Sequence, residues 1–339
     1  MFYPYGDFCG DSQLQKNDDE SSAEIHINTA FQFFNQSHRS LFVNTNGDLT
    51  FISALSRYTP ESFPFQRNAS VIATYWADVD TKTVGDVWYR ETSNPTLLGR
   101  ASSDIRTSFP QQPKFNASWI FITTWDDVAF FGADEVGLTK RCSFQCILAT
   151  DGRYSFVVFN YNLTQWTTGT ASGGNSSDGV GGTPAQVGFD AGDGIHFYAV
   201  PGSQTPGIIN ITQMSNVGIP GKFIFRVDLA TIERATFVRT TTIALISTGQ
   251  TTERIPNTVV LSTVTTSTQQ QTSSKTAPIT VITSTQKQTV KAAAVSKVRG
   301  VSNTGMRIAS SCFGNPCQNG TCIPFGNRFV CLCDPGYEG

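Results

Sequence analysis

Short apolar or alternating stretches, each closed by a turn signal, run through the first two thirds of the chain. Ser40-Leu41-Phe42-Val43 and Asp48-Leu49-Thr50-Phe51-Ile52 flank Asn44-Thr45-Asn46-Gly47, which predicts a hairpin with Asn-Gly at its tip. The runs 71–76 and 119–125 are apolar enough to predict buried strands. Residues 154–161 follow an Asp151-Gly152 turn, and residues 222–228 close the series. One helix is predicted from Ser102 to Phe109, with Ser102 or Ser103 as cap and Ile105 and Phe109 one turn apart. Many short strands joined by Gly-rich turns predict a mainly β fold, a sandwich or barrel-like domain.

That pattern stops near residue 239, and composition changes with it. Residues 1–239 carry 16 basic against 23 acidic groups, whereas residues 240–311 carry 7 against 1 and contain no Phe, Tyr or Trp. The middle zone is dense in Ser and Thr and has too little bulky apolar surface to offset chain entropy. It is expected to be a disordered, O-glycosylated linker. Its Lys275, Lys287, Lys291, Lys297, Arg299 and Arg307 either keep it soluble or dock acidic glycosaminoglycans. Over the whole chain charged residues are only 15% against a usual 25% or so, and the net charge is −2. Such a balance argues against nucleic acid as a partner. Three His residues leave little room for His-rich metal sites. No apolar run approaches the 18 residues of a spanning helix, and Met1-Phe2-Tyr3-Pro4 does not open a signal peptide.

Five of the eight cysteines, Cys312, Cys317, Cys322, Cys331 and Cys333, fall in residues 312–339. This segment is too short to bury a core, so cross-links are expected to replace one. No Cys-x-x-Cys pair and no nearby His favours zinc. Asn315-Pro316-Cys317-Gln318-Asn319-Gly320-Thr321-Cys322 and Cys331-Leu332-Cys333-Asp334-Pro335-Gly336-Tyr337 resemble an EGF-like module. The resemblance implies Cys312–Cys322 and Cys317–Cys331 disulfides and leaves Cys333 for a sixth cysteine beyond Gly339. The natural chain is therefore expected to continue past both ends. Calcium binding by this module is not expected, because Ala309-Ser310-Ser311 stands where acidic residues would be needed. Seven Asn-x-Ser/Thr sequons, at Asn35, Asn68, Asn116, Asn162, Asn175, Asn210 and Asn319, fit a secreted or cell-surface glycoprotein.

The first zone has its own resemblance. It is carried by Tyr3-Pro4-Tyr5-Gly6, Asp18-Asp19, residues 41–47, Tyr75-Trp76-Ala77-Asp78-Val79-Asp80, Gly85-Asp86-Val87-Trp88-Tyr89, Trp166-Thr167-Thr168-Gly169 and Gly188-Phe189-Asp190-Ala191-Gly192-Asp193-Gly194. These residues resemble the extracellular nidogen-type (NIDO) domain, nearest in wording to its versions in alpha-tectorin and in sushi-, nidogen- and EGF-like-domain proteins. The resulting division is a NIDO domain over 1–239, a linker over 240–311 and an incomplete EGF-like module over 312–339. The resemblance implies an extracellular-matrix role, cell–matrix adhesion through protein partners, and no catalytic residues.

Candidate chemistry is sparse beside that. Asp78 and Asp80 are two apart on a strand and so share a face, and Asp190 and Asp193 lie in a Gly-rich loop. Together these four are the candidate Ca²⁺ ligands of a calcium- or glycan-dependent binding module, or else they cap turns. Asn17-Asp18-Asp19-Glu20 is expected to be a solvated loop. Ser, His196 and Asp193 could be drawn as a triad, but no Gly-x-Ser-x-Gly elbow exists. His196 is expected to be a half-buried strand residue. Cys142 and Cys146 are spaced for a local loop disulfide, which would leave Cys9 alone unless it pairs with one of them.

Overall fold

The computed structural model describes residues 1–65 and 69–235, and the backbone of 320–325 and 328–333. The elements in chain order are β1 (Ser12–Gln13), β2 (Ile25–Phe33), β3 (Gln36–Asn44), β4 (Asp48–Thr50), β5 (Val71–Trp76), β6 (Val79–Asp80) and β7 (Asp86–Thr92). Then come α1 (Pro95–Ser108), β8 (Trp119–Phe130), β9 (Cys142–Thr150), β10 (Ser155–Thr164), β11 (Gln186–Asp190), β12 (Phe197–Ala199), β13 (Lys222–Arg226) and β14 (Glu233–Arg234). A separate hairpin pairs β15 (Gly320–Phe325) with β16 (Arg328–Cys333) and sets Cys322 opposite Cys331.

Two antiparallel sheets make the domain. One runs β1-β7-β8-β9-β10-β13-β14, with β6 added beside β8; the other runs β12-β11-β5-β4-β3-β2. Each sheet keeps two free edges, so the architecture is a sandwich and not a closed barrel. Residue parity explains why the central strands read as unbroken apolar runs. In β8, Phe121 and Trp125 face the other sheet, while Ile120 and Ile122 face α1. β9 and β10 split the same way, with Phe144, Leu148, Val157 and Phe159 toward the sheet and Ile147, Ala149, Phe156 and Val158 toward the helix. Both faces are covered, so alternation is lost from the sequence. The outer face of β5 is covered in turn, where Val71, Ala73 and Trp76 pack on Leu55, Phe65 and Ala69.

The Asn44–Gly47 hairpin forms as expected. Asn44 pairs with Asp48, and Gly47 closes the turn at φ 90°. A Cβ there would lie 2.1 Å from the Tyr75 carbonyl oxygen, so only glycine fits. Trp125 of the facing sheet donates its indole N–H to the carbonyls of Asn44 and Thr45, at 3.2 and 3.0 Å. That bond ties the turn to the core.

Two expectations are corrected. The helix starts at Pro95, seven residues before Ser102. Asn94 is the cap, accepting from the N–H groups of Thr96 and Leu97, and Pro95 is pre-set for the first turn. Ser102 lies inside α1, where its hydroxyl donates to Leu98 and accepts from Ala117. Cys142 and Cys146 lie on one extended strand, four residues and about 13 Å apart, beyond disulfide reach. Both are buried free thiols, and burial pushes each up to about 12. Cys9 is also buried. The linker, its basic residues, Asn68, Asn319 and the cysteine pairings Cys312–Cys322 and Cys317–Cys331 lie outside the described residues and side chains.

Candidate functional site

Four chain segments meet at one corner of the sandwich. β5 ends at Trp76, the chain turns through Ala77 and Asp78, and β6 then pairs with β8. The Asn46 side chain organises this corner. Its Oδ1 accepts from the Val79 N–H at 2.9 Å, and its Nδ2 donates to Asp19 Oδ1 at 2.7 Å. The N-terminal segment is pinned alongside. Thr81 N–H donates to the Asn17 carbonyl at 3.0 Å, and Thr45 N–H donates to the Glu20 carbonyl at 2.9 Å. The fourth segment is the backbone at Gly169, so close to Asp78 that a Cβ there would lie 2.4 Å from Oδ2.

The result is a convergence of carboxyls. One oxygen each from Asp18, Asp19 and Asp78 lies within 4.8 Å of the others. Asp78 is only 2% exposed, and its Oδ2 is sealed from solvent with no hydrogen-bond donor among the described residues. Asp18 Oδ1 is in the same condition. Asp18 Oδ2 accepts from Lys82 Nζ at 3.1 Å. Burial first, then the charges of Asp18, Asp19 and Asp80, push Asp78 up to about 7. Burial likewise raises Asp18, opposed by its bond to Lys82.

The four expected calcium ligands do not come together. Asp190 pairs with Val71 at the start of β5, whereas Asp78 lies past the end of that strand, roughly 20 Å away along it. Asp190 is a turn-capping residue. Its Oδ2 accepts from Phe65 N–H at 3.0 Å and its Oδ1 from Gly192 N–H at 2.7 Å. Burial, opposed by those donors, holds it at about 6. Asp193 caps the next turn, accepting from the N–H groups of Ile195 and His196 at 2.9 and 2.8 Å. Its Oδ2 meets His196 Nδ1 at 2.6 Å, and these bonds lower it to about 2. His196 is half-buried and sits just before β12. The His–Asp pair thus belongs to a surface turn, and no serine hydroxyl bonds to His196 among the described residues. Asp80 also caps, with Oδ1 accepting from Lys82 N–H at 2.8 Å.

Sequence reasoning therefore found Asp78 and assigned it the wrong companions. Asp18 and Asp19, read as a solvated loop, are what the fold brings to it. The Asp-Asp dipeptide within the NIDO-like wording was the available signal. The other surface chemistry follows the sequence more closely: Asn35, Asn116, Asn162, Asn175 and Asn210 are all exposed. Among the described residues no helix is long and apolar enough to cross a membrane.

The comparisons with known proteins converge on one family. The nidogen-like domain model matches residues 39–229. The chain is 44% identical over 233 residues to alpha-tectorin of Gallus gallus, covering 69% of this chain and 11% of that protein. It is 30% identical over 235 residues to nidogen of Drosophila melanogaster, covering 68% of this chain and 16% of the relative. It is also 30% identical over 244 residues to nidogen-2 of Mus musculus, covering 66% and 17%. The chain thus corresponds to less than a fifth of the length of these relatives. No solved structure matches it. With more than half of its residues inside the family model, and most of the sandwich strands within that stretch, the chain belongs to the nidogen-like domain family.

Proposed function

We infer that this chain is part of an extracellular-matrix or cell-surface glycoprotein, and that its sandwich domain mediates cell–matrix adhesion or matrix assembly by binding other matrix proteins. The observation that carries this reading is the family match over 39–229, joined to 44% identity with an alpha-tectorin. Two features support it. All five described sequons are exposed, as glycan attachment outside the cell requires. Among the described residues the His–Asp pair belongs to a surface turn, and the buried thiols of Cys142 and Cys146 lie away from it in β9. The EGF-like segment and the Ser/Thr-rich tether fit a modular secreted chain, with the tether's basic residues as a secondary glycosaminoglycan contact.

The test is solid-phase binding of the glycosylated chain to matrix extracts at physiological salt. Saturable retention that survives competition with soluble heparin is expected. Retention lost entirely to heparin would move the activity to the basic tether. No retention of any kind would sink the adhesion reading.

A further inference from the structure

We propose that Asp18, Asp19 and Asp78 form a calcium site that clamps the N-terminal segment to the corner between β5 and β6. The inference does not depend on which matrix protein the domain binds.

Three observations on this corner point to a cation. The first is spacing. Ligand oxygens of one Ca²⁺ lie about 2.3–2.6 Å from the ion, so they can be no more than roughly 5 Å apart. The three carboxyls offer oxygens within 4.8 Å of one another. The second is the missing donors. Asp78 Oδ2 and Asp18 Oδ1 are buried, come from segments sixty residues apart, and accept no hydrogen bond among the described residues. A buried carboxylate oxygen without a donor is strongly disfavoured unless a proton or a cation meets it, and three carboxyls within reach of one another favour one shared cation. The third is that the local ammonium does not serve. Lys82 bonds the opposite oxygen of Asp18 and its side chain is half exposed, so it leaves both orphan oxygens unmet.

The surroundings hold the three carboxyls in place against their own repulsion. Asn46, a neutral side chain, bonds both Asp19 and the residue after Asp78. Gly169 lies against the Asp78 carboxyl and Cβ, leaving no space for a side chain between them. The donor set selects the ion class. It is all oxygen, with no His or Cys in the cluster, which suits a hard cation and not zinc. Three carboxyls drawn from a loop and a strand corner leave further positions for water, the adaptable geometry that Ca²⁺ accepts and Mg²⁺ resists. Asp190 and Asp193, each already served by backbone N–H groups, take no part.

The experiment uses the full chain stripped with EDTA. CaCl₂ is titrated by calorimetry, and melting is followed with and without Ca²⁺. A saturable binding event at about 1 mM or tighter, with a rise in melting temperature, is expected. Asp78→Asn, and separately the less deeply buried pair Asp18→Asn with Asp19→Asn, should weaken binding at least about tenfold while melting in EDTA no earlier than the parent. Asp190→Asn should leave binding unchanged. No heat and no thermal shift with the parent chain would overturn the site. Full binding retained by the double variant, or lost by Asp190→Asn alone, would overturn the assignment of ligands. An equal response to MgCl₂ would overturn the choice of calcium.

Discussion

The two acidic regions of this domain look alike in sequence and differ in how their charge is met. At the far end of β11, Asp190 and Asp193 each accept two backbone N–H bonds, and His196 adds a third contact to Asp193. At the corner after β5, Asp78 is more completely enclosed by its neighbours than Asp193 and has an oxygen with no donor among the described residues. The first region is finished by its own backbone. The second region finds no such donors among the described residues. Burial of a carboxyl is thus no guide to its role until its donors are counted.

Asp48 sharpens the comparison and carries the largest expected effect. It is fully buried, takes one side-chain bond from Asn44, and has no donor to Oδ2 among the described residues. Burial pushes it up to about 8, so here a proton fills the gap. The folded value lies above the ordinary 3.8, so between about pH 4 and 8 the native state holds a proton that the unfolded state has lost. Its stabilisation is complete below pH 4 and is lost as pH rises toward 8, at up to about 1.4 kcal/mol per unit. Denaturant melts at pH 5 and 8 should show this loss in the parent chain and a much flatter profile in Asp48→Asn. Parallel profiles would remove Asp48 from the account.

Next comes Asp190→Ala, which leaves the Phe65 and Gly192 N–H groups without their acceptor. A loss of about 3 kcal/mol is expected from urea unfolding. A loss below about 1 kcal/mol would mean that the loop has found other acceptors and that the contrast with the corner is false. Gly169→Ala should cost about 2 kcal/mol by driving a methyl into Asp78, and it should also blunt any response of the melting temperature to CaCl₂. If stability falls and the CaCl₂ response stays whole, Gly169 shapes packing alone. The smallest effect is expected at Asp193→Ala, about 0.5 kcal/mol, because the cap and its His196 partner stand in water and are screened. A thermal shift as large as that of Asp190→Ala would place Asp193 among the structural carboxyls.

Legibility followed the range of each interaction. The Asn44–Gly47 hairpin was readable because its turn chemistry is local. β5, β8 and β10 were readable as apolar runs, although which side faces the helix required the packed layers. β2 was missed. Its two-residue turn to β3 uses Phe34 and Asn35, both at positive φ, and phenylalanine is a poor signal for that conformation. The helix start was misplaced because a serine pair drew attention from Asn94-Pro95. The Cys142–Cys146 loop failed because an extended β9 holds those residues apart.

By itself the sequence determined a β-rich domain of the nidogen-like family, the change of composition after about residue 239, and the surface placement of the glycan sequons that the structure describes. Periodicity, turn residues and motif wording are properties of neighbouring positions, so they survive in one dimension. Only the tertiary structure decided that Asp78 belongs with Asp18 and Asp19 and not with Asp190. Which carboxyls meet depends on how β5 ends, where the N-terminal segment crosses it, and which backbone N–H groups are already spoken for. Those are long-range facts of packing, and no spacing along the chain encodes them.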